Sequence, residues 1–398
     1  MPSETFARLA ALAPRERRAD ANPASPREDP ARSLPSAIDL ERDFGLFATD
    51  VVAHHASSSS SSSSSPSPAC APAVDARGVV SCACAGCARW RAFCEGALDE
   101  PAHRPARRQY EVLTREHVGA LAAYIHSRAN ALVPPPPPAP GSPARRRRRR
   151  ALRVLEVGAG DGRLATHVRA AIDAIEQRRE GGRGEDEDVP RVAIVAVDDD
   201  SLGLRRPRDD GALLRFVTMD AIEALAPGAL VFPGDDGDGG DPGDRPGDRP
   251  GDVSPAPGPD LVLACWQPMG VDWTAAMRAN ASVAEYVLVG EADDGMCGRP
   301  WETWGYAGWD GDIPGDGDGD IPGDGDGTPP VPPYVRDGFE RGDVAGVSGA
   351  SQICRADERW RGTRRSRTVS FRRVTGPGAV GGGRGRSGPV GSGFVDGS

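Results

Sequence analysis

A glycine-rich turn between an apolar run and a helical pattern is the part of this sequence best suited to hold a ligand. Residues 154–162 read Val-Leu-Glu-Val-Gly-Ala-Gly-Asp-Gly, so that Glu156 precedes three alternating glycines. Glycines let a backbone turn tightly and approach a bound molecule closely. Where a strand enters a helix, the first amides of the helix also point toward that molecule. The segment therefore predicts a small-molecule site at the end of a strand.

The spacing of the glycines separates this turn from one that binds dinucleotides. The dinucleotide fingerprint is Gly-x-Gly-x-x-Gly, and Arg163 stands here at its last glycine position. The pattern acidic-x-Gly-x-Gly-x-Gly, beginning at Glu156, resembles motif I of the class I S-adenosylmethionine-dependent methyltransferases. A carboxylate suits that cofactor because its sulfonium and amino groups are cationic, whereas a pyrophosphate favours a helix N-terminus. A tight turn in another α/β protein stays open as an alternative, and Arg163 disfavours a dinucleotide oxidoreductase.

Three later positions resemble the same family, in the same order. Asp198 follows the second apolar run, where the family places the acidic residue that takes the ribose hydroxyls. Asp220 follows the third run and is similar to the position that contacts adenine, although a helix cap is the alternative. Open parallel sheets bind ligands at the carboxyl ends of their strands. The resemblance thus implies S-adenosyl-L-methionine as cofactor, held by six residues: Glu156, Gly158, Gly160, Gly162, Asp198 and Asp220.

Three residues near the ends of the fourth and fifth runs are catalytic candidates. Trp266 and Gln267 follow the fourth run, where the family lines its methyl-transfer site. The amide of Gln267 can accept a hydrogen bond from an amine, or the pair can form a buried corner. Glu291 lies just beyond the fifth run and is a candidate base or acceptor ligand, with a solvated strand end as the alternative. Methyl transfer depends mainly on positioning the acceptor, and a base is needed only where the acceptor must lose a proton.

These residues do not identify the methyl acceptor. Members of the family that methylate amino groups of adenine or glutamine carry Asn or Asp, then Pro-Pro and an aromatic residue, whereas residues 266–269 read Trp-Gln-Pro-Met. Small molecules, protein side chains and RNA all remain open as acceptors. This departure also leaves a second hypothesis, in which the chain is a non-catalytic, cofactor-binding scaffold of the methyltransferase fold. Whether the protein is active, and its oligomeric state, are left open.

Strands and helices that alternate along the chain must position these residues. Five short apolar runs predict strands, at 151–157, 191–197, 212–217, 260–265 and 286–289. Residues 351–354 and 367–371 predict a terminal antiparallel pair, and helices are predicted after Thr114 and over 273–284. This order predicts an α/β fold with a doubly wound, mostly parallel sheet and a terminal antiparallel pair, which is Rossmann-like and is interrupted by disordered inserts.

Low-complexity stretches divide the chain. Residues 1–109 are predicted to be a poorly structured region with one ordered piece at 37–55 and a small Cys-rich segment at 70–98, and residues 110–374 are predicted to form the methyltransferase-like domain. Its inserts, at 132–150, 180–190, 233–258 and 310–332, are rich in Pro, Gly, Asp or Arg and cannot bury a core. A Gly-rich tail covers 375–398. The inserts at 233–258 and 310–332 hold seven Asp each, so the net charge of −10 belongs to them and not to the predicted site.

Four clustered cysteines are the one candidate for a metal site. Cys82, Cys84, Cys87 and Cys94 are spaced Cys-x-Cys-x2-Cys-x6-Cys, and clustered intracellular cysteines often hold zinc. The usual paired Cys-x2-Cys knuckles are missing, so zinc is a weak prediction against small cysteines buried on a helix. The predicted core shows no metal site.

Composition excludes several other functions. All 48 basic residues are Arg, which excludes lysine Schiff-base chemistry and phosphate-binding loops that need Lys. No apolar run is long enough for a membrane span, and no secretory signal is recognised, so the sequence predicts a soluble intracellular protein of unassigned compartment. The arginine run at 145–150 and the basic residues of 355–373 suit a linker and charged strand faces, so no clear nucleic-acid-binding module is predicted, although RNA remains open as an acceptor.

Overall fold

The computed structural model describes thirteen stretches of the chain, and every structural statement below concerns these residues. They are 34–47, 72–74, 80–96, 110–133, 150–180, 191–201, 213–233, 258–293, 295–306, 330–344, 346–349, 351–357 and 364–374. The predicted inserts, except for one to three residues at their ends, and the predicted tail lie outside the described residues.

Eleven strands and eight helices form within these stretches. The strands are β1 (Pro72–Val74), β2 (Val80–Cys82), β3 (Glu111–Val112), β4 (Leu152–Val157), β5 (Val192–Asp198), β6 (Leu214–Thr218), β7 (Leu261–Cys265), β8 (Glu285–Glu291), β9 (Phe339–Asp343), β10 (Ile353–Cys354) and β11 (Ser366–Arg373). The helices are α1 (Ala37–Phe44), α2 (Ala85–Cys94), α3 (Arg115–Leu132), α4 (Arg163–Glu180), α5 (Ala221–Ala224), α6 (Thr274–Ala279), α7 (Pro300–Trp304) and α8 (Pro333–Arg336).

A seven-stranded sheet in the order β6-β5-β4-β7-β8-β11-β9 organises the described chain. Strands β4 to β8 run parallel to one another, and β11 is antiparallel to both β8 and β9. One face of the sheet packs against the apolar sides of α3 and α4, and the short helices cover the other face. The predicted α/β fold around a mostly parallel sheet is therefore confirmed.

The partners of the predicted antiparallel pair were wrong. Residues 353–354 pair with β3, not with β11, and β11 instead lies between β8 and β9. Val369 and Phe371 of β11 are fully buried on one face, and Thr368 and Ser370 are buried on the other. Strand β11 is an interior strand of the sheet, with β8 on one side and β9 on the other. Its second neighbour, β9, reads Phe-Glu-Arg-Gly-Asp, and so polar an edge strand carries little sequence signal.

Helix boundaries follow from local hydrogen bonds. The predicted helix after Thr114 is confirmed, because the Thr114 hydroxyl accepts a hydrogen bond from the backbone N–H of His117 and caps α3. The helix predicted over 273–284 ends early, at Ala279. There Asn280 is extended, its side chain accepting a bond from the backbone N–H of Ser282 and donating one to the Leu225 carbonyl. Asparagine competes in this way with helical backbone bonds.

No helix in the described part of the chain combines the length and apolar character that a membrane span requires.

A separate core joins the N-terminal elements to the rest of the fold. Helices α1 and α2 pack together through Phe44, Trp90 and Phe93, and the same cluster contains Val112 of β3 and Ile353 of β10. The indole N–H of Trp90 also donates to the carbonyl of Arg355. The Cys-rich segment is thereby docked on the small β3–β10 ladder, across the predicted domain boundary at residue 109.

Candidate functional site

The predicted site residues follow strands whose carboxyl ends meet at one edge of the sheet. The chain runs outward from β4 through β5 to β6, and it then returns to the other side of β4 with β7 and β8. Val157, at the end of β4, is in register with Val197 of β5 and Ala264 of β7. In open α/β sheets the crevice at such a reversal of strand order is where ligands bind. The fold therefore brings the predicted cofactor-binding and catalytic positions to the expected edge.

The three glycines of the turn after β4 all have a left-handed backbone. Their φ angles are +65° at Gly158, +58° at Gly160 and +76° at Gly162. A Cβ on Gly158 would lie 2.5 Å from the indole of Trp273, and one on Gly162 would lie 2.3 Å from the ring of Phe216. Glycine is needed here both for conformation and for space. Two aromatic rings thus pack directly against the glycine turn.

Asp198 ties together the loops that follow three strands. Its Oδ2 accepts a hydrogen bond from the backbone N–H of Gly160 at 2.9 Å, and its Oδ1 accepts one from the N–H of Asp200 at 3.0 Å. Its carbonyl accepts a third, from the N–H of Met219 after β6. One carboxylate oxygen of Asp198, the residue predicted to bind ribose, therefore holds the glycine turn in place.

Glu156 is a buried carboxylate that lacks a full set of partners. It accepts a hydrogen bond from the backbone of Ala165, but its Oε2 has no partner among the described residues. Burial raises the pKa of Glu156 to about 8, and the nearby charges of Asp161 and Asp198 act in the same direction. A buried acceptor without a donor costs stability, so such atoms call for an explanation. A cationic ligand in the adjacent crevice would supply one.

Asp220 forms the helix cap that was the alternative to ligand binding. Its Oδ1 accepts hydrogen bonds from the backbone N–H groups of Ile222 and Glu223, at the start of α5. The residue is exposed, and it follows Met219, whose amide bonds to Asp198. Capping therefore accounts for one oxygen of Asp220 and places the residue at the same sheet edge as Asp198.

Trp266 has a strained backbone and a fixed side chain. Its φ of +57° is one that bulky residues rarely adopt, and strain of this kind concentrates at functional sites. The indole N–H donates to Oε2 of Glu111 at 2.9 Å, and the ring stacks on Tyr110 with centroids 5.4 Å apart. The β3 segment therefore fixes the position of the corner after β7.

Gln267 is buried at the same corner. Its Nε2 donates to the carbonyl of Val271 at 2.6 Å, which closes the turn. Its Oε1 is buried and has no hydrogen-bond partner in the described part of the chain. A buried corner therefore explains the role of the Nε2 group of Gln267. Its Oε1 stays available to accept a hydrogen bond from an N–H or O–H donor.

Glu291, at the end of β8, is buried and not a solvated strand-end residue. Its Oε2 accepts a hydrogen bond from the backbone N–H of Met296 at 3.0 Å. The carboxylate therefore ties the turn after β8, which gives it a structural role beside the crevice.

Glu111 is a site residue that sequence reasoning missed. Besides the bond from Trp266, its Oε2 accepts one from the hydroxyl of Ser366 at 2.7 Å. Its Oε1 lies 3.8 Å from Nδ1 of His117. Burial raises the pKa of the Cys265 thiol well above its usual value, and the charges of Glu111 and Glu156 add to the effect. No local signal points to Glu111, because Trp266 lies 155 positions away along the chain.

We expect Glu111 and Glu156 to make the free energy of unfolding fall as the pH rises from about 5 to about 8, with little further loss from these two groups above that pH. Burial raises the pKa of Glu111 and of Glu156 to about 8 from an unfolded value near 4.5. The folded state therefore binds more protons than the unfolded state in this range, and stability is lost as the pH rises toward the folded pKa. Burial lowers the pKa of His117 to about 4, so that group acts in the opposite direction below its ordinary value of about 6.5.

Urea unfolding at several pH values measures this loss. Glu111→Gln should flatten the dependence, because an amide cannot ionise yet still accepts the bonds from Trp266 and Ser366. A variant with the same slope as the parent protein would contradict the assignment of Glu111.

Three of the four predicted zinc-binding cysteines come together. The sulfur atoms of Cys82, Cys84 and Cys87 all lie within 4.8 Å of one another. Cys94 was a wrong fourth member, because its side chain is fully buried in the core formed by α1, α2 and the β3–β10 ladder. It lies on the same face of the helix as Cys87 but about 10 Å further along the axis, too far away to share an ion with Cys82, Cys84 and Cys87.

Comparisons with known protein families and with curated proteins gave no match.

Proposed function

We propose that the chain binds S-adenosylmethionine at the carboxyl edge of β4, β5 and β7 and transfers the methyl group to an acceptor. The observation that carries the proposal is the buried Glu156 carboxylate, whose Oε2 has no partner among the described residues, beside a turn of three left-handed glycines. The ionised form of Glu156 would repel a pyrophosphate, whereas a bound cation would stabilise that form and lower the raised pKa of the group. The location at the strand-order reversal and the resemblance of residues 154–162 to motif I support the same reading.

The residues around the turn fit this cofactor. Glu156 would face its cationic groups, and the carboxylates of Asp198 and Asp220 would serve its ribose and adenine. The aromatic rings of Trp273 and Phe216 against the glycines suit both an adenine ring and a positive sulfur. When bound, S-adenosylmethionine supplies a methyl group on a positively charged sulfur, a leaving group that needs no further activation.

The residues after β7 would place the acceptor. Gln267 has a buried Oε1 that can accept a hydrogen bond from an amine or hydroxyl and so orient its lone pair. Trp266 is engaged by Glu111 and Tyr110, so we give it a positioning role. Because Glu291 already accepts a hydrogen bond from the N–H of Met296, Gln267 is the better candidate of the two to bind the methyl acceptor.

Titration calorimetry on the full chain tests the cofactor. We expect S-adenosylmethionine to bind with an affinity that rises as the pH is raised from about 6 toward about 8, by up to tenfold per pH unit, because only ionised Glu156 attracts a cation. Glu156→Gln should weaken binding by about 10- to 100-fold and remove the pH dependence.

Glu176→Gln is the matched control, since that carboxylate already pairs with Arg169 on α4. Binding of NADH in place of S-adenosylmethionine, or an unchanged affinity in Glu156→Gln, would refute the proposal.

The competing function is a cofactor-binding scaffold without activity, which the departure of residues 266–269 from the amino-methylating pattern favours. Incubating the protein with methyl-labelled cofactor and cell extract, fractionated into small molecules, RNA and protein, separates the two. An enzyme labels one fraction, which names the acceptor class. A scaffold binds the cofactor and labels none, and that result would overturn the catalytic half of the proposal.

A further inference from the structure

The sulfur atoms of three cysteines converge where the β1–β2 hairpin enters α2. Cys82 ends β2, Cys84 is the N-cap of α2, and Cys87 lies in its first turn. Their sulfur atoms lie within 4.8 Å of one another. Thiolates that share a tetrahedral zinc ion at about 2.3 Å are about 3.8 Å apart. A contraction of about 1 Å or less would therefore seat a zinc ion among them.

The backbone around the cysteines is arranged to stabilise thiolates. The N–H of Cys84 donates to the sulfur of Cys82 at 3.5 Å, and the N–H of Cys87 donates to the sulfur of Cys84 at 3.4 Å. Cys84 also lies at the positive end of a ten-residue helix. Both effects lower the cost of the negative charge that a metal ligand must carry. These donors are a second observation, independent of the distances between the sulfurs.

Cys82 and Cys87 are as fully buried as Cys94, but unlike Cys94 they do not belong to the apolar cluster of α1, α2 and the β3–β10 ladder. Cys94 is fully buried and packs among apolar side chains. Cys84, by contrast, is only partly buried, so an ion can reach the group from solvent. None of the described cysteines forms a disulfide.

We infer that Cys82, Cys84 and Cys87 bind one zinc ion that fixes the β1–β2 hairpin to α2. Each thiol that coordinates gives its proton to solvent, so binding releases up to three protons and reduces or oxidises nothing. The described residues supply three ligands to this group, and a fourth position completes the tetrahedron with water or another donor. This site is separate from the proposed methyl-transfer site and stands without it.

A zinc ion at this site would also stabilise the elements that pack against α2. Trp90 and Phe93 of this helix pack on Val112 of β3, and β3 also carries Glu111, which holds Trp266. Loss of zinc should therefore loosen the N-terminal elements first and the corner after β7 second.

Elemental analysis of the full chain, purified under reducing conditions, tests the inference. We expect about one zinc per chain in the parent protein and a loss of at least about tenfold in Cys82→Ser, Cys84→Ser and Cys87→Ser. Cys84→Ser is the most informative variant, because serine remains a good N-cap and keeps α2 intact. Cys94→Ala is the matched control and should keep its zinc.

A titration of the metal-free chain with cobalt(II) covers the case in which a variant folds poorly. Three thiolates should give a strong sulfur-to-cobalt absorption band in the parent protein and a weaker one in each serine variant. A parent protein without zinc and without that band would overturn the inference. So would a disulfide found within the group by mass spectrometry, or a loss of zinc in Cys94→Ala equal to that in Cys84→Ser.

Discussion

Replacing Gly158 with alanine should lower the free energy of unfolding by about 1–3 kcal/mol and reduce the affinity for S-adenosylmethionine by at least about 100-fold. The residue has a φ of +65°, which L-residues rarely adopt, and an added Cβ would lie 2.5 Å from the indole of Trp273. Either the turn or the indole must move. Both lie at the proposed site, so binding should suffer more than stability.

Gly119 provides the matched control for this substitution. It lies inside α3, where an added Cβ meets nothing within 4 Å. Gly119→Ala should therefore leave binding unchanged and raise stability by about 0.5–1 kcal/mol, because alanine favours a helix. Urea unfolding and titration calorimetry measure both quantities. If Gly158→Ala binds the cofactor as well as Gly119→Ala does, the glycine turn is not the ligand site.

Replacing Gln267 with leucine should reduce kcat by about 30- to 100-fold while leaving the affinity for the cofactor within a few fold. Leucine has a similar size, but it removes the buried Oε1 that we propose as the acceptor's hydrogen-bond partner. A loss in kcat without a loss of cofactor binding is the signature of an interaction made to the reacting group.

Gln267→Glu separates that role from a structural one. Both variants lose the bond that Nε2 donates to the Val271 carbonyl, but only glutamate keeps an acceptor oxygen. Gln267→Glu should therefore retain more activity than Gln267→Leu toward the fraction that the extract experiment labels. Equal losses in the two variants, accompanied by equal losses of stability, would make Gln267 part of the corner alone.

The sequence predicted the parallel half of the fold well because its signal is local. The five parallel strands begin and end within two residues of the predicted apolar runs. A strand buried on both faces is a continuous apolar run, and such runs can be read without knowing the partners. The positions at or just beyond the ends of these strands follow directly, and they include Glu156, Asp198 and Gln267.

The parts of the fold that the sequence did not predict form between segments that are far apart along the chain. Strand β9 is polar because it lies at the edge of the sheet, and β3 and β10 are two residues long each. Pairing between Glu111 and Cys354 joins segments more than two hundred residues apart, and no local pattern encodes it. The support of Trp266 by Glu111 arises from that pairing. The ends of the parallel strands were therefore more predictable than the segments that pack against them.

The order of the strands also constrains how this protein can fold during synthesis. Strand β9 is made before β11, yet β11 lies between β9 and β8 in the sheet. When residue 343 leaves the ribosome, β9 therefore has no partner, and Glu111 still lacks the hydroxyl of Ser366. Long-range pairing of this kind slows folding and leaves strand edges exposed. A nascent chain stalled before β11 should be open to proteases and chaperones, and it should become resistant within about ten residues of β11 clearing the exit tunnel.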